Sequence, residues 1–271
     1  MRVVPAADLG AAKLLEVFNA GFSDYLVPLR LDEAALRAHL HENDIALDRS
    51  PVALAEEPAA FALLGVRDGD AWIGGMATVP AKRRSGLARQ MLDAAIESAR
   101  EAGCSTVWLE VVDRNAAAVA LYRARGFARV RDLVVWSLPA PGRAGEATRT
   151  VDEREAHAWI DAHREERAPW QRAERTLARL REGGAALRGL VVERSGDVAG
   201  AAVYRDATTA SVFQLAADDD EAAAALLCAA AGGRDLHVTN APADGRVSRV
   251  LAGRGANSIA GQHEMRLDLS S

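Results

Sequence analysis

The stretch TVPAKRRSGLARQML, residues 78–92, places a proline, consecutive cations and a glycine just before an apolar helical pattern. Proline has no N–H to donate, so a strand that reaches Val79 stops pairing at Pro80. The chain that follows presents unpaired backbone N–H groups at a helix start, which attract anions. Gly86 lacks the Cβ that would block close approach, and Ala88 keeps the next turn small. This pattern is typical of a phosphate cradle, although a basic loop before a solvated helix would share it.

The sequence around this stretch predicts the elements that position it. Two amphipathic helical patterns come first, and three short strand patterns separated by Asp-Gly and Gly-rich turns follow them. A helix that ends at Gly103, a strand, a second helix that ends at Gly126 and a final strand complete the region. An antiparallel meander that continues as β-α-β-α-β predicts an α/β fold with a mixed sheet flanked by helices.

The same order of elements recurs in the second half of the chain, after a Pro- and Gly-rich segment at 139–150 that is typical of a linker. Superimposing Arg125-Gly126 on Arg254-Gly255 gives an offset of about 129 residues without a gap between the preceding strands. We therefore expect two domains of one fold in tandem, at 1–138 and 151–271. Chance similarity between two Ala-rich α/β stretches is the alternative.

Two motifs resemble the Gcn5-related N-acetyltransferase superfamily. Residues 78–91 are similar to its coenzyme A signature V-x-P-x-x-R-x-x-G-(L/I)-(G/A), with Ala88 in the Gly/Ala position. Residues 109–127, LEVVDRNAAAVALYRARGF, resemble its second motif, including Asn115, Tyr122 and Gly126. The resemblance covers about 60 residues directly and residues 1–138 by topology. It implies an acetyltransferase fold, present twice, with the catalytic N-acetyltransferase domain at 1–138.

The resemblance also implies acetyl-CoA as the co-substrate. The strand before the loop would pair with the pantetheine arm, and the loop amides would bind the pyrophosphate. A backbone N–H near Val79 would stabilise the acetyl oxyanion. Asn115 would hold the cofactor or cap the following helix. The cofactor-binding residues implied are Ala77, Thr78, Val79, Arg84, Ser85, Gly86, Leu87, Ala88, Arg89 and Asn115.

Two residues are candidates for proton transfer during acetylation of a primary amine. Glu110 lies at the strand position that some relatives, notably the ribosomal-protein alanine acetyltransferases, use as the base; a structural carboxylate is the alternative. Tyr122 lies on the next helix, where its hydroxyl could protonate the departing thiolate or simply pack against the sheet. The acceptor would be a small-molecule or peptide amine. Phe18, Phe22 and Tyr25 would line its cleft or belong to the core.

The second half lacks these residues at the 129-residue offset. Thr239 stands at the position of Glu110 and Leu251 at that of Tyr122, while 218–221 read Asp-Asp-Asp-Glu where the phosphate loop would be. Acids there would stabilise the helix start but repel coenzyme A. We therefore expect 151–271 to be a degenerate acetyltransferase-like domain and the chain to hold one active site.

Composition limits the other functions. A formal net charge of −5 argues against a general nucleic-acid footprint, and no apolar run predicts a membrane span or leader, so we expect a cytoplasmic protein without nucleic-acid or membrane partners. The histidines and two cysteines show no metal-ligand spacing, and no metal is expected. The resulting hypothesis is an acetyl-CoA-dependent N-acetyltransferase. A coenzyme-A-binding sensor without turnover is the alternative.

Overall fold

A computed structural model describes residues 1–27, 29–142, 145–164 and 166–270 of the chain. The chain packs into two units, one formed by Met1–Val130 with His263–Ser271 and the other by Arg131–Gln262. Within the described ranges, the structure contains no helix with the length and hydrophobicity of a membrane span.

The first unit follows the predicted element order, preceded by a short strand that the sequence patterns did not indicate. Strands β1 to β5 are hydrogen-bonded in sequence order, antiparallel except for the parallel pair β4–β5. The elements are β1 (Arg2–Pro5), α1 (Ala11–Gly21), α2 (Glu33–Glu42), β2 (Pro51–Leu54), β3 (Pro58–Arg67), β4 (Asp70–Thr78), α3 (Leu87–Glu101), β5 (Thr106–Val112), α4 (Ala116–Arg123) and β6 (Ala128–Leu138).

Local sequence explains several of these boundaries. The predicted Asp-Gly turn joins β3 to β4, with φ of 46° at Asp68 and 85° at Gly69, the left-handed pair that suits a tight hairpin. The carboxylate of Asp32 caps α2 by accepting from the Ala35 N–H at 2.8 Å. Gly103, at φ 74°, follows α3 and lets the chain turn into β5.

Two apolar clusters hold the helices of the first unit on its sheet. The apolar stripe of α3, with Met91 and Leu92 fully buried, packs with Leu64 of β3 and Leu109 of β5. A second cluster joins residues of α1 and α2 to Phe61 of β3. The two clusters fix α3 and α1–α2 against the strands that carry the motifs.

A buried ion pair also fixes the end of α2. The Arg67 guanidinium donates to the Asp44 carboxylate at 2.7 Å and to the Glu42 carbonyl at 2.8 Å, and its side chain is 6% exposed. Because a buried charge left without its partner is costly, this pair ties the α2 end firmly to β3.

The second unit repeats the element order of the first, as the internal repeat predicted. In its parallel pair of Val212 in β10 with Val238 in β11, Val238 lies 129 residues beyond Leu109 of β5. The elements are β7 (Thr148–Val151), α5 (Glu153–His163), α6 (Glu174–Glu182), β8 (Leu187–Arg194), β9 (Asp197–Arg205), β10 (Ala210–Ala217), α7 (Asp220–Ala231), β11 (Leu236–Pro242), α8 (Arg246–Gly253) and β12 (Asn257–Asp268).

The unit boundaries differ from the predicted division at 138 and 151. Strand β6 runs from the first unit into the second, where Leu133–Leu138 pairs with β11. Strand β12 returns to the first unit, where the Leu269 N–H donates to the Ser105 carbonyl at 2.8 Å. Strand pairing between distant residues leaves no trace in local composition, so the sequence placed the boundary in the Pro- and Gly-rich segment instead.

The predicted linker at 139–150 is also shorter than expected, because β7 begins at Thr148 and pairs with β8. Arg143 and Ala144, within the predicted linker, lie outside the described residues.

Candidate active site

The two motifs meet where parallel strands β4 and β5 part. Their paired residues run from Asp70–Thr106 to Ile73–Leu109, and both strands then continue, to Thr78 and Val112. On the other side of β4, the register with β3 shifts between Leu63 and Leu64, which marks a bulge at the same level. The bulge turns the second half of β4 away from β5 and leaves backbone groups of both strands available to a ligand.

Glu110 lies at this divergence and is held by a buried tryptophan. The Trp72 Nε1–H donates to Glu110 Oε2 at 2.7 Å, and Trp72 is 2% exposed. The indole crosses Gly74, where an added Cβ would lie 2.2 Å from the ring. Gly74 therefore gives the indole the space it needs to orient the carboxylate.

A histidine on α2 approaches the same tryptophan. The His39 ring centroid lies 6.3 Å from that of Trp72. Burial lowers the pKa of His39, while a backbone hydrogen bond with Gly74 opposes that shift. The imidazole is thus predominantly neutral at neutral pH and adds no positive charge beside Glu110.

The loop between β4 and α3 has the backbone form expected of an anion cradle. A single helical turn at Pro80–Lys82 is followed by left-handed residues, with φ of 58° at Arg84 and 85° at Gly86. Gly86 is the N-cap of α3 and supplies no side chain to the free N–H groups of the first turn. An added Cβ at Gly86 would meet nothing within 4 Å, so open space lies in front of the helix start.

The cations of this loop have different roles. Arg83 makes a bidentate pair with the Asp24 carboxylate, with Nη1 to Oδ2 at 2.7 Å, and donates from Nε to the Thr78 carbonyl at 3.2 Å. This pair lowers the pKa of Asp24. Arg83 therefore fastens the chain after α1 to the end of β4, whereas Arg84 and Arg89 are exposed beside the helix start.

Tyr25, Asn115 and Tyr122 form a second polar group in this unit. Asn115 Oδ1 accepts from the Ala118 N–H at 3.2 Å, which confirms its capping of α4. Burial raises the pKa of Tyr25, and hydrogen bonding to the Asn115 side chain opposes that shift. Tyr122 is 6% exposed, with its ring centroid 5.8 Å from that of Phe127. Burial first, and the nearby Tyr25 second, raise the pKa of Tyr122 above its usual range. Its hydroxyl therefore stays protonated well above neutral pH.

The structure corrects one part of the predicted machinery. The Val79 N–H donates to the Ala59 carbonyl at 2.9 Å, so it is not available to an oxyanion. Hydrogen bonding alternates along an antiparallel pair, so the N–H groups of Met76 and Thr78 face the side on which β5 has parted. Met76 was not predicted as a site residue, because the bulge in β4 determines which amides face the divergence and only the strand register shows that bulge.

Trp72 and Asp24 were also missed as parts of the site. A tryptophan in a strand pattern is most simply a core residue, and nothing local links Asp24 to Arg83. Gly74 was the signal that could have indicated this role of Trp72. Successive side chains on one face of a strand lie two residues apart, so a glycine at this position leaves room for the indole.

The corresponding loop in the second unit is filled by its own side chains. Asp219 Oδ1 caps α7 by accepting from the Ala222 N–H at 2.9 Å, and the Asp219 carboxylate also pairs with Arg194. Asp220 pairs with Arg249 of α8 at 3.0 Å. Among the described residues, no group of three or more His, Cys, Asp and Glu side chains is arranged to hold a metal.

Comparison with known proteins agrees with this geometry. The acetyltransferase (GNAT) family model matches residues 14–127. This segment belongs to the GNAT acetyltransferase family. It contains both β4, with the loop that follows, and β5, where the motifs meet.

Curated relatives match about a quarter of the chain. The [ribosomal protein bS18]-alanine N-acetyltransferase of Escherichia coli K12 is 42% identical over 69 residues, 26% of this chain and 47% of that protein. The chain thus spans about half the length of the curated relatives it matches.

Solved structures share the fold over nearly the whole chain. A GCN5-related N-acetyltransferase of Sphaerobacter thermophilus has a TM-score of 0.72 at 18% identity, covering 98% of this chain and 95% of that one. A tandem GNAT protein from the clavulanic acid biosynthesis pathway has a TM-score of 0.65 at 17% identity, covering 100% and 99%. The chain therefore has the acetyltransferase fold twice in tandem.

Proposed function

We propose that the first unit transfers an acetyl group from acetyl-CoA directly to a primary amine. The observation that carries this proposal is the placement of two features at one divergence of strands: an open, glycine-capped helix start and a carboxylate held by Trp72. GNAT proteins use acetyl-CoA, and the second unit offers neither feature at the corresponding positions.

The residues of the first unit fit the cofactor. The left-handed loop and the start of α3, whose N-cap Gly86 has no side chain, suit a pyrophosphate. It would be held by the amides of 84–89, with Arg84 and Arg89 beside it. Thr78, on the diverging part of β4, would pair with the pantetheine arm, whereas the predicted residue Ala77 pairs with Phe61 and directs its backbone groups towards β3. When bound, acetyl-CoA supplies the activated acyl group, and the N–H groups of Met76 and Thr78 face the side where its carbonyl oxygen would be stabilised.

Proton transfer is assigned to two residues. An alkyl amine with a pKa of about 10 is mostly protonated at neutral pH and must lose a proton before it attacks. Glu110, with one carboxylate oxygen fixed by Trp72, is the proposed base, acting directly or through water. Tyr122 is the proposed acid for the departing thiolate, because its raised pKa keeps the hydroxyl protonated.

The chain's cysteines favour direct transfer over a covalent acyl-enzyme. Cys104 is buried, and burial is the main cause that raises its pKa, which disfavours the reactive thiolate. Cys228, in the second unit, is buried too.

The proposed acceptors are peptide and small-molecule amines. The relative from Escherichia coli is named for the alanine of a ribosomal protein, which makes a peptide N-terminus one acceptor to test beside small-molecule amines. The second candidate is a sensor that binds coenzyme A without turnover, favoured by the burial of Tyr122, which leaves only 6% of the residue exposed.

Thiol release from acetyl-CoA, measured with a panel of peptide and small-molecule amines, tests the proposal. We expect amine-dependent release that falls in Glu110→Gln and Tyr122→Phe while acetyl-CoA binding is retained. Binding without release across the panel would favour the sensor. Release that both variants leave unchanged would contradict the assigned roles.

A further inference from the structure

The second unit contains a cleft of about 640 Å³, within the size range of small-molecule sites. It lies at the ends of β10 and β11, where their parallel pairing has stopped after Val212 and Val238. Its walls come from α5, the segment before α6 and the start of α8. The fold thus provides a divergence of strands here too, lined by different side chains.

A buried arginine lies at this cleft. Arg172 is 6% exposed and donates from Nη1 to the Asn240 carbonyl at 3.0 Å and from Nε to the Phe213 carbonyl. Both are neutral acceptors, and a guanidinium carries five N–H donors. Burial, together with the nearby charge of Arg131, lowers the pKa of Arg172 to about 10, so it remains charged at neutral pH. A buried cation held by carbonyls favours an anion beside it.

Further positive charge surrounds Arg172. Arg131, whose side chain is 14% exposed, also lines the cleft and is bonded to Glu166 at 2.6 Å and to the Arg167 carbonyl at 2.7 Å. Six arginines line the cleft against three acids, Glu166, Asp218 and Asp244. Cations therefore outnumber anions in the lining.

The start of α8 adds backbone donors to the same cleft. Its N-cap, Gly245, makes no side-chain cap, and Gly245, Arg246 and Val247 all line the cavity. The first N–H groups of a helix have no intrahelical partner and favour an anion. This feature independently supports the preference set by Arg172.

Apart from His163 and Gln214, apolar surface accounts for the rest of the lining. Phe213 and Leu215 of β10, Pro242 of β11 and Val247 of α8 contribute carbon surface. Coenzyme A suits this cleft poorly because Asp219 already caps α7, where a pyrophosphate would bind.

We propose that this cleft binds a small organic carboxylate with an apolar body. The carboxylate lies against Arg172, whose planar fork matches it, and the body packs on Phe213 and Leu215. The second unit is therefore a ligand-binding domain with its own specificity, and ligand binding there does not require the transfer chemistry of the first unit.

Calorimetric titration of the full chain with 3-phenylpropionate tests this site. We expect one molecule bound per chain, with the uncharged 3-phenylpropionamide and inorganic phosphate, at matched ionic strength, binding at least about tenfold more weakly. Tighter binding of phosphate would overturn the organic carboxylate. Equal binding of the amide would overturn the role of the charge, and no binding of 3-phenylpropionate would overturn the proposal.

Variants locate the binding within the cleft. Because Arg172→Met would leave two buried carbonyls without donors and endanger folding, Arg131→Gln and Leu215→Glu are the main tests, with thermal melting as a check on folding. Each should weaken 3-phenylpropionate about tenfold, whereas the exposed Arg254→Gln should not change it. Unchanged affinity in folded Leu215→Glu would contradict the location. If the parent chain bound a second equivalent of coenzyme A and Leu215→Glu did not, the cleft would be a cofactor site instead.

Discussion

Two adjacent glycines of β4 offer a matched test of how Glu110 is held. An added Cβ at Gly74 would lie 2.2, 2.7 and 2.8 Å from three atoms of the Trp72 ring, which is too close for any contact. At Gly75 the nearest atom would be 3.5 Å away, an ordinary van der Waals distance. Gly74→Ala should displace the indole, and Gly75→Ala should not.

Three contributions determine how much Gly74→Ala changes the free energy of unfolding. Overpacking a buried site costs about 1–3 kcal/mol, and the lost hydrogen bond to the Glu110 carboxylate adds about 1–3 kcal/mol. The lower backbone entropy of alanine in a strand returns about 0.5–1 kcal/mol. We expect a net loss of about 1–5 kcal/mol in the free energy of unfolding, measured by urea titration. Because Glu110 would lose its hydrogen bond to Trp72, kcat for acetyl transfer should also fall by about tenfold or more.

Gly75→Ala is the control for the strand itself. It should stay within about 1 kcal/mol of the parent and keep its kcat. If the two variants lost equal stability and activity, Trp72 would not be the element that positions Glu110.

Three further predictions concern the first unit. Arg67→Ala should destabilise the chain by about 3–5 kcal/mol in urea titration because it leaves Asp44 buried without its partner, whereas Arg37→Ala, in an exposed pair, should change stability by less than about 1 kcal/mol; equal losses would contradict the buried pair. Asp24→Asn should raise the KM for acetyl-CoA several-fold, because Arg83 loses its bidentate partner beside the phosphate loop; an unchanged KM in steady-state assays would mean that the pair does not position the loop. The raised pKa of Tyr122 keeps its hydroxyl protonated as pH rises through 10, so kcat measured against pH should show no decline from its ionisation below that point; a decline lost in Tyr122→Phe would refute this reasoning.

Local signals in the sequence predicted most of the first unit. The Asp68-Gly69 turn and the glycine at the start of α3 have the conformations that their residue types favour. The apolar stripe of α3 is buried as its helical spacing predicted. These features depend on neighbouring residues in the chain, so they can be predicted from the sequence.

Features that depend on pairing between residues far apart in the chain could not be predicted from the sequence. The passage of β6 and β12 between units, and the Val79 N–H bonded to Ala59, are consequences of strand register. The Arg83–Asp24 pair joins residues 59 positions apart. In the second unit, Arg172 lies in a segment rich in charged residues, yet it is buried because the bulged strands β10 and β11 present carbonyls to it.

We propose that the chain has one cofactor site, at the start of α3. Calorimetric titration with acetyl-CoA, comparing the parent chain with Gly86→Asp, tests this proposal. Gly69→Asp, at the same φ of 85° with open space around it, controls for backbone strain. We predict one acetyl-CoA per chain in the parent and in Gly69→Asp and none in Gly86→Asp, where a carboxylate would face the pyrophosphate. Two molecules per chain, or binding that survives in Gly86→Asp, would contradict the claim.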